Sequence, residues 1–305
     1  MFRVKLSDIA AKAEREFGAK CVNCDVDLYL TRAVPISDCS IGTITFANSV
    51  DVAAKIDRVK GALVIAPRDF APKEEGCSAV LVENPRLVFG LIVGDLYQVE
   101  HSGSIHPSAV VDQTAKLGSN VSIGANTVIG PYCSIGDNVT IHHNVVIDRA
   151  VIIGRDSSVL SGSVIGEAGF GVETAKDGKT FRLPHIGGVV IGERVVIGSM
   201  NSIAAGTLVP TVIEDDVQTD NLVHIAHNVR VGASTLITAC AEISGSVTIG
   251  ARSWIGPNAS IMNKVSIGED AMIGLGAVVT KSVPGNTIVA GSPARILRLR
   301  HKEEQ

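Results

Sequence analysis

From Ile105 onward an aliphatic residue returns every six positions: Ile105, Val111, Leu117, Ile123, Ile129 and so on through Val159 and Ile165. After an interruption the series resumes at Ile191, Ile197 and Ile203. It slips phase by four residues near Pro210, then runs from Ile213 through Thr219, Ile225 and Val231 to Val279. Glycine often follows the aliphatic residue, as at Gly118, Gly124, Gly130, Gly250 and Gly256. Four places after the aliphatic residue stands a small or β-branched side chain, such as Val121, Thr127, Cys133 or Val139. Neither a helix, with its period of about 3.6, nor an alternating strand, with its period of about 2, accommodates this pattern. Six residues make one short strand and one corner, and three such hexads close a triangular coil of about eighteen residues, stacked about 4.8 Å above the last. The expected fold is mainly β: a parallel β-helix of hexapeptide repeats, roughly nine coils tall, with the aliphatic row pointing inward.

Composition agrees with a core of this kind. Hydrophobic residues make up 46% of the 305 positions but aromatics only 4%, so the interior must be packed from Val, Ile, Ala and Leu. The 31 glycines suit a chain that turns often. A formal net charge of −4 offers no basic excess for nucleic acid. The opening Met1-Phe2-Arg3-Val4-Lys5-Leu6 lacks the apolar stretch of a secretory signal, and no segment approaches the roughly 18 apolar residues of a membrane span. The expectation is a cytoplasmic protein with no transmembrane segment. Cys21-Val22-Asn23-Cys24 has the spacing of a zinc or redox pair, but no second such pair completes a metal site, and the six cysteines read as reduced structural thiols.

Residues 1–100 lack the six-residue period and read as a small α/β domain ending near Glu100. Ser7 is placed to cap a helix through about Phe17; strand-like runs follow at 41–47, 62–66 and 79–82, and Asn84-Pro85-Arg86 marks a turn before a helix over about 86–98. The β-helix domain then covers 101–294, with a polar, Gly-containing inserted loop at 166–188, and 295–305 is a charged tail or short helix. Long excursions in repeat proteins are commonly functional.

A β-helix alone is a scaffold, so function must come from groups that project from the prism. The best candidate is His227. Ile225 is the inward residue of its hexad, and His227, two places on, falls at a corner and points outward. Eighteen residues later comes Gly245, expected one coil above. A glycine there leaves its backbone N–H open to a ligand, and a base beside a backbone donor is what acyl transfer needs. The alternative is a plain surface histidine. Lys264, two coils above Asn228, is either a phosphate ligand or a solvated lysine. No metal is needed by such a mechanism.

Several segments resemble the UDP-3-O-acylglucosamine N-acyltransferase family of lipid A synthesis, within the hexapeptide-repeat acyltransferases. They are Ile44-Thr45-Phe46-Ala47-Asn48, Ile105-His106-Pro107-Ser108-Ala109, Gly169-Phe170-Gly171 with Leu183-Pro184-His185-Ile186-Gly187, and Asp220-Asn221 with Ile225-Ala226-His227-Asn228. The resemblance implies a left-handed coil and a homotrimer with clefts between prisms. It implies His227 as general base, Asp220 as its acidic partner and the Gly245 amide as oxyanion donor. It also implies uracil stacking and hydrogen bonding by Phe46 and Asn48, and acceptor binding around Asn221, His224, Asn228 and Lys264. Lys264 stands where the family has a second histidine, and Ala204-Ala205 where it has an Asp-Arg pair.

The C-terminal run from Gly274 to Lys281 and from Val283 to Arg295 resembles acetyl-CoA-dependent sugar acetyltransferases, which implies donor binding by Gly276, Lys281 and Arg295. The Gly-Ser-Pro-Ala-Arg segment reads equally as a cap on the open end of the coil. The expected function is N-acyl transfer from a thioester, carried by acyl carrier protein or CoA, to the amine of a UDP-linked amino sugar, with no tightly bound cofactor. The alternatives are an acetyl-CoA-dependent nucleotide-amino-sugar N-acetyltransferase for O-antigen or capsule sugars, and a non-catalytic sugar-binding scaffold.

Overall fold

The structure is a computed structural model that describes residues 2–73, 76–97 and 103–300. Two compact units divide at Glu100 and His101. The expected domain end at Glu100, the last expected helical residue Gln98 and positions 301–305 of the tail lie outside the described residues.

In the first unit a five-stranded sheet runs in the order Lys20–Val22, Ser78–Val82, Leu63–Pro67, Thr43–Phe46, Arg32–Ala33. Only the pairing of Lys20–Val22 with Ser78–Val82 is antiparallel. Its central strands are buried on both faces and so read as unbroken apolar runs. Leu63, Ile65, Val80 and Val82 face helices α1 (Leu6–Phe17) and α3 (Pro85–Leu96). The alternate residues Val64, Ala66, Ala79 and Leu81 face the short helix α2 (Val50–Ala54). Ser7 does not cap α1. Leu6 is fully buried and already helical, which moves the cap position to Lys5, and no side chain caps it. Asn84 does cap α3, its side chain accepting from the Leu87 N–H.

The second unit is the left-handed parallel β-helix. Short strands, most of them two residues long, stack into three sheets of ten, nine and eight strands. Register steps by eighteen residues: Ser122 pairs with Thr140 and Thr140 with Ser158. Across the insertion the step is 38, and across the phase slip it is 22. Both the aliphatic row and the small residue four places on lie inside: Ile123, Ile129 and Ile135 with Thr127, Cys133 and Val139 are at most 2% exposed.

The corners carry a regularity absent from the apolar pattern. Asn120, Asn126, Tyr132, Asn138, Asn144, Ala150 and Asp156, six residues apart, all have φ between 53° and 60°. Asn and Asp tolerate this left-handed region best among residues with a side chain. Their amides also ladder up the edge: Asn120 donates to Asn138, Asn138 to Asp156, and Asn126 to Asn144. Inside the corners buried hydroxyls close onto carbonyls fifteen residues ahead, Thr127 onto His142, Thr235 onto Gly250 and Ser253 onto Gly268.

The insertion is a β-hairpin, Val172–Thr174 against Thr180–Arg182, that leaves the prism after Val164–Ala168 and returns at Val189. The described part of the C-terminal segment, 295–300, is not helical. Arg295–Leu299 is a strand, antiparallel to Thr287–Ala290, and so covers an edge of the last coil that would otherwise present unpaired backbone groups. Among the described residues no helix is long and apolar enough to cross a membrane.

The inward register sets an expected outcome. Ile147→Ala empties fully buried space and lowers unfolding stability by about 2–5 kcal/mol. Val128→Ala, at a 39% exposed outward position, changes it by less than about 0.5 kcal/mol. Denaturant unfolding of the two variants checks the assignment.

Candidate active site

The strands Ser202–Ala205, His224–Ile225 and Glu242–Ile243 are neighbours in one sheet, and Ser202, His224 and Glu242 stand in register on its outer face. Just beyond them the hairpin folds back. Between the two lies a cleft of about 400 Å³, lined by Glu167, Phe170 and Arg182 from the insertion and by His224, His227, Glu242, Ser244 and Gly245 from the coils.

His227 is half-buried at the corner after its strand. Its Nδ1 lies 2.9 Å from Asn228 Oδ1. The Asn228 amide is oriented by its other bonds: Nδ2 donates to Val209 O at 3.0 Å, and Oδ1 accepts from the Thr207 hydroxyl at 3.0 Å. An amide oxygen only accepts, so Nδ1 of His227 carries the proton and Nε2 carries the lone pair. The arrangement yields a base with a fixed tautomer.

Gly245 sits one coil above His227, as the eighteen-residue register requires. Its carbonyl accepts from the Lys264 N–H at 3.0 Å, and among the described residues no protein acceptor is seen for its own N–H. A Cβ on Gly245 would lie 2.7 Å from His227 Cε1 and 2.8 Å from Nε2. Glycine here makes room for the imidazole and leaves an amide donor beside it. A base and a donor in contact across one cleft can take a proton from a nucleophile and steady a developing oxyanion.

Of the residues singled out in the sequence, His224, His227 and Gly245 line this cleft, and Asn228 holds His227. Among the described residues Asp220 makes no hydrogen bond to His227. It lies seven residues earlier, about one corner back around the prism, and its carboxylate accepts from the Asn221 N–H at 2.7 Å. Asn221 in turn accepts from Ser199 N. Lys264, Lys281 and Arg295 are exposed and outside the cleft, and Gly276 has φ 61° with its N–H bound to Pro257 O. In the first unit Phe46 packs against Phe89 at 4.9 Å between ring centroids, and Asn48 is exposed.

The cleft also contains groups that sequence reasoning missed. Glu242 is eighteen residues after His224, so the register would have found it; its carboxylate accepts from the Ser244 hydroxyl at 3.0 Å. Phe170, 77% exposed, has the Arg182 guanidinium 5.5 Å above its ring. Glu167 and Arg182 sit on an insertion with no period to place them.

A larger cavity, about 1090 Å³, opens in the first unit between α1 and the loop after Cys24. Its reactive groups are the free thiols Cys21 and Cys24. A hydrogen bond between them lowers the pKa of Cys24 and raises that of Cys21, with burial also pushing Cys21 up. Size alone does not outrank chemistry: of these two cavities, the smaller pairs a fixed-tautomer base with a backbone donor. Among the described residues no group of three His, Cys, Asp or Glu side chains is gathered as a metal site.

Comparison with known proteins adds a second line of observation. Residues 246–281 match the family described as bacterial transferase hexapeptide (six repeats), and residues 99–175 match the family described as GMPPB C-terminal domain. The chain is 35% identical over 246 residues to the UDP-3-O-acylglucosamine N-acyltransferase of Coxiella burnetii strain RSA 493, covering 74% of this chain and 71% of that protein. It is 39% identical over 236 residues to the protein of the same name from Delftia acidovorans, covering 75% and 69%. Among solved structures it is similar to LpxA from Acinetobacter baumannii, with a TM-score of 0.59 and 26% identity over 64% of this chain and 74% of that one.

The packing of Gly245 on His227 is open to direct measurement. Gly245→Ala is expected to swing the imidazole out of the cleft, moving the His227 ring resonances in a ¹H–¹⁵N spectrum while the denaturation midpoint stays close to that of the parent. Unchanged His227 resonances would contradict the contact.

Proposed function

Because the chain belongs to the UDP-3-O-acylglucosamine N-acyltransferase family, we propose that His227 is the general base with which it moves an acyl group from a thioester to the amine of a UDP-linked amino sugar, as in lipid A synthesis. The observation that carries this reading is the bond from His227 Nδ1 to Asn228 Oδ1, which leaves Nε2 as the basic nitrogen beside Gly245. The sugar amine enters the cleft and its nitrogen attacks the thioester carbonyl carbon. His227 Nε2 takes the proton that the amine must lose. The carbonyl oxygen becomes an oxyanion and binds the Gly245 N–H. On collapse the C–S bond breaks, the amide forms, and the proton on His227 passes to the departing thiolate. Atoms and charge balance, and no further cofactor enters.

Two features support the acceptor end of the cleft. Glu167 and Glu242 line the same cleft as His227, where their carboxylates can accept hydrogen bonds from the N–H and O–H groups of an amino sugar. Phe170 and Arg182 form an amphipathic rim, an aromatic face under a guanidinium, suited to a sugar or nucleotide edge. Phe46 and Asn48 are assigned to the uracil, and Asn221 and Lys264 to the rim of the acceptor site. Gly276, Lys281 and Arg295 are assigned to the donor side, in the last coils. The working form is a homotrimer in the cytoplasm.

His227→Ala is expected to lower turnover by about 10²–10⁴, the usual worth of a positioned general base, with the fold intact by circular dichroism. Near-native turnover would remove His227 from this role. Offering acetyl-CoA and a hydroxyacyl-acyl carrier protein separately with UDP-3-O-acylglucosamine, and weighing the products, identifies the carrier. No product from any thioester donor across a panel of UDP-amino sugars would overturn the activity itself.

A further inference from the structure

His185 returns on the far side of the insertion and is only 8% exposed. Its Nδ1 lies 2.9 Å from Leu183 O. A carbonyl only accepts, so Nδ1 carries the proton and Nε2 is left with a lone pair. That Nε2 is buried and, among the described residues, has no hydrogen-bond partner. A buried polar atom left unpaired works against folding, and a leucine or phenylalanine of similar size would avoid the penalty.

The surroundings of His185 point to His227. The two ring centroids are 5.2 Å apart, with the planes at 64°, an edge-to-face contact. Gly169 lies over both: a Cβ there would be 3.1 Å from His185 Nε2 and 3.2 Å from His227 Cβ and Cδ2. Gly171 closes on the other edge, its Cβ position 3.1 Å from His185 Cε1. The hairpin thus crosses the two rings with glycine at each point of contact, and Phe170, between them, is turned out into the cleft. His185 itself is not among the residues that line the cleft, so it acts behind the base and not on the substrate.

We propose that His185 is a positioning residue for His227: its ring, pinned by Leu183 O, holds the His227 imidazole edge-on, and its unpartnered Nε2 lone pair faces the charge that develops when His227 takes its proton. The inference rests on the reading of His227 as general base. Asn228 fixes the tautomer of His227 from one side, and His185 fixes the plane from the other. A neutral imidazole with its lone pair beside a forming imidazolium is a fixed dipole aimed at transition-state charge, and burial keeps water from screening it. The contribution appears only as the proton moves, so it acts on turnover and not on substrate affinity.

The test uses full-length variants and UDP-3-O-acylglucosamine with whichever thioester donor the parent accepts. His185→Phe and His185→Leu remove the lone pair while filling the space. His185→Gln keeps a donor for Leu183 O at one position and an acceptor at the other. The expected result is a kcat about 10–100-fold lower in the Phe or Leu variant with KM within about twofold, and recovery of most of that loss in the Gln variant. A kcat within about twofold of parent in a folded Phe or Leu variant overturns the inference, as does a loss confined to KM or a Gln variant no better than Phe. Failure of both Phe and Leu variants to fold also overturns it, because His185 is then a structural residue. His227→Ala is measured alongside. Activity retained there sinks the general-base reading itself, whereas activity lost there but kept in the His185 variants sinks only the present inference.

Discussion

Everything in the second unit depends on one constraint, the parallel pairing of each residue with the one a coil further on. Because most of the strands are two residues long, each contributes few backbone hydrogen bonds, and the coil closes only if the corners repeat with the same φ. The left-handed corner residues at Asn120, Asn126, Asn138 and Asn144 meet that demand. Each is individually unfavourable for a residue with a Cβ, and the amide ladder from coil to coil offsets part of that penalty. The aliphatic row supplies the driving force, and the corners supply the geometry. Losing either would unstack the prism, since each coil contacts mainly the ones above and below it.

This constraint explains what could be read from the sequence. A period of six gives the register by arithmetic, so the stacking of Gly245 on His227 and of Glu242 on His224 follows from residue numbers alone. The orienting partner of His227 did not follow. Asn228 can hold the imidazole because its amide is itself gripped by Thr207 and Val209, and those residues belong to the four-residue slip near Pro210. Asp220, the acidic partner that the family resemblance implies, stands seven residues from His227, which is not a multiple of the coil, and its carboxylate accepts from the next backbone N–H. His185 was visible as a residue and invisible as a neighbour, because an insertion that shifts the register step to 38 has no periodic address.

The first unit shows the converse case. Its strands were legible as apolar runs, because a mostly parallel sheet with helices on both faces buries every side chain of Leu63–Pro67 and Ser78–Val82 except Pro67. The helix start was legible only to within a residue or two. Leu6 is drawn into the core and helical geometry begins there, so Ser7, the better capping residue by type, ends up inside the first turn. Tertiary burial of one leucine outweighs a local cap worth about 1 kcal/mol.

The two breaks in the repeat are not scattered along the prism. The insertion leaves the sheet at Val164–Ala168 and brings Gly169, Phe170, Arg182 and His185 to His227. The phase slip supplies the loop that grips Asn228. The regular coil above supplies Gly245. A perfect repeat would present only one row of side chains to solvent at each corner, each flanked by its own copies, and could not surround a base with a donor, an acceptor and a lid. Surrounding His227 requires chain that departs from the period on one side and chain that keeps it on the other. Glycine at 169, 171 and 245 then follows from crowding, since two backbone segments pass within a Cβ's reach of two imidazoles. In a solenoid whose coils are otherwise interchangeable, the place where both irregularities converge is the place where chemistry can be housed.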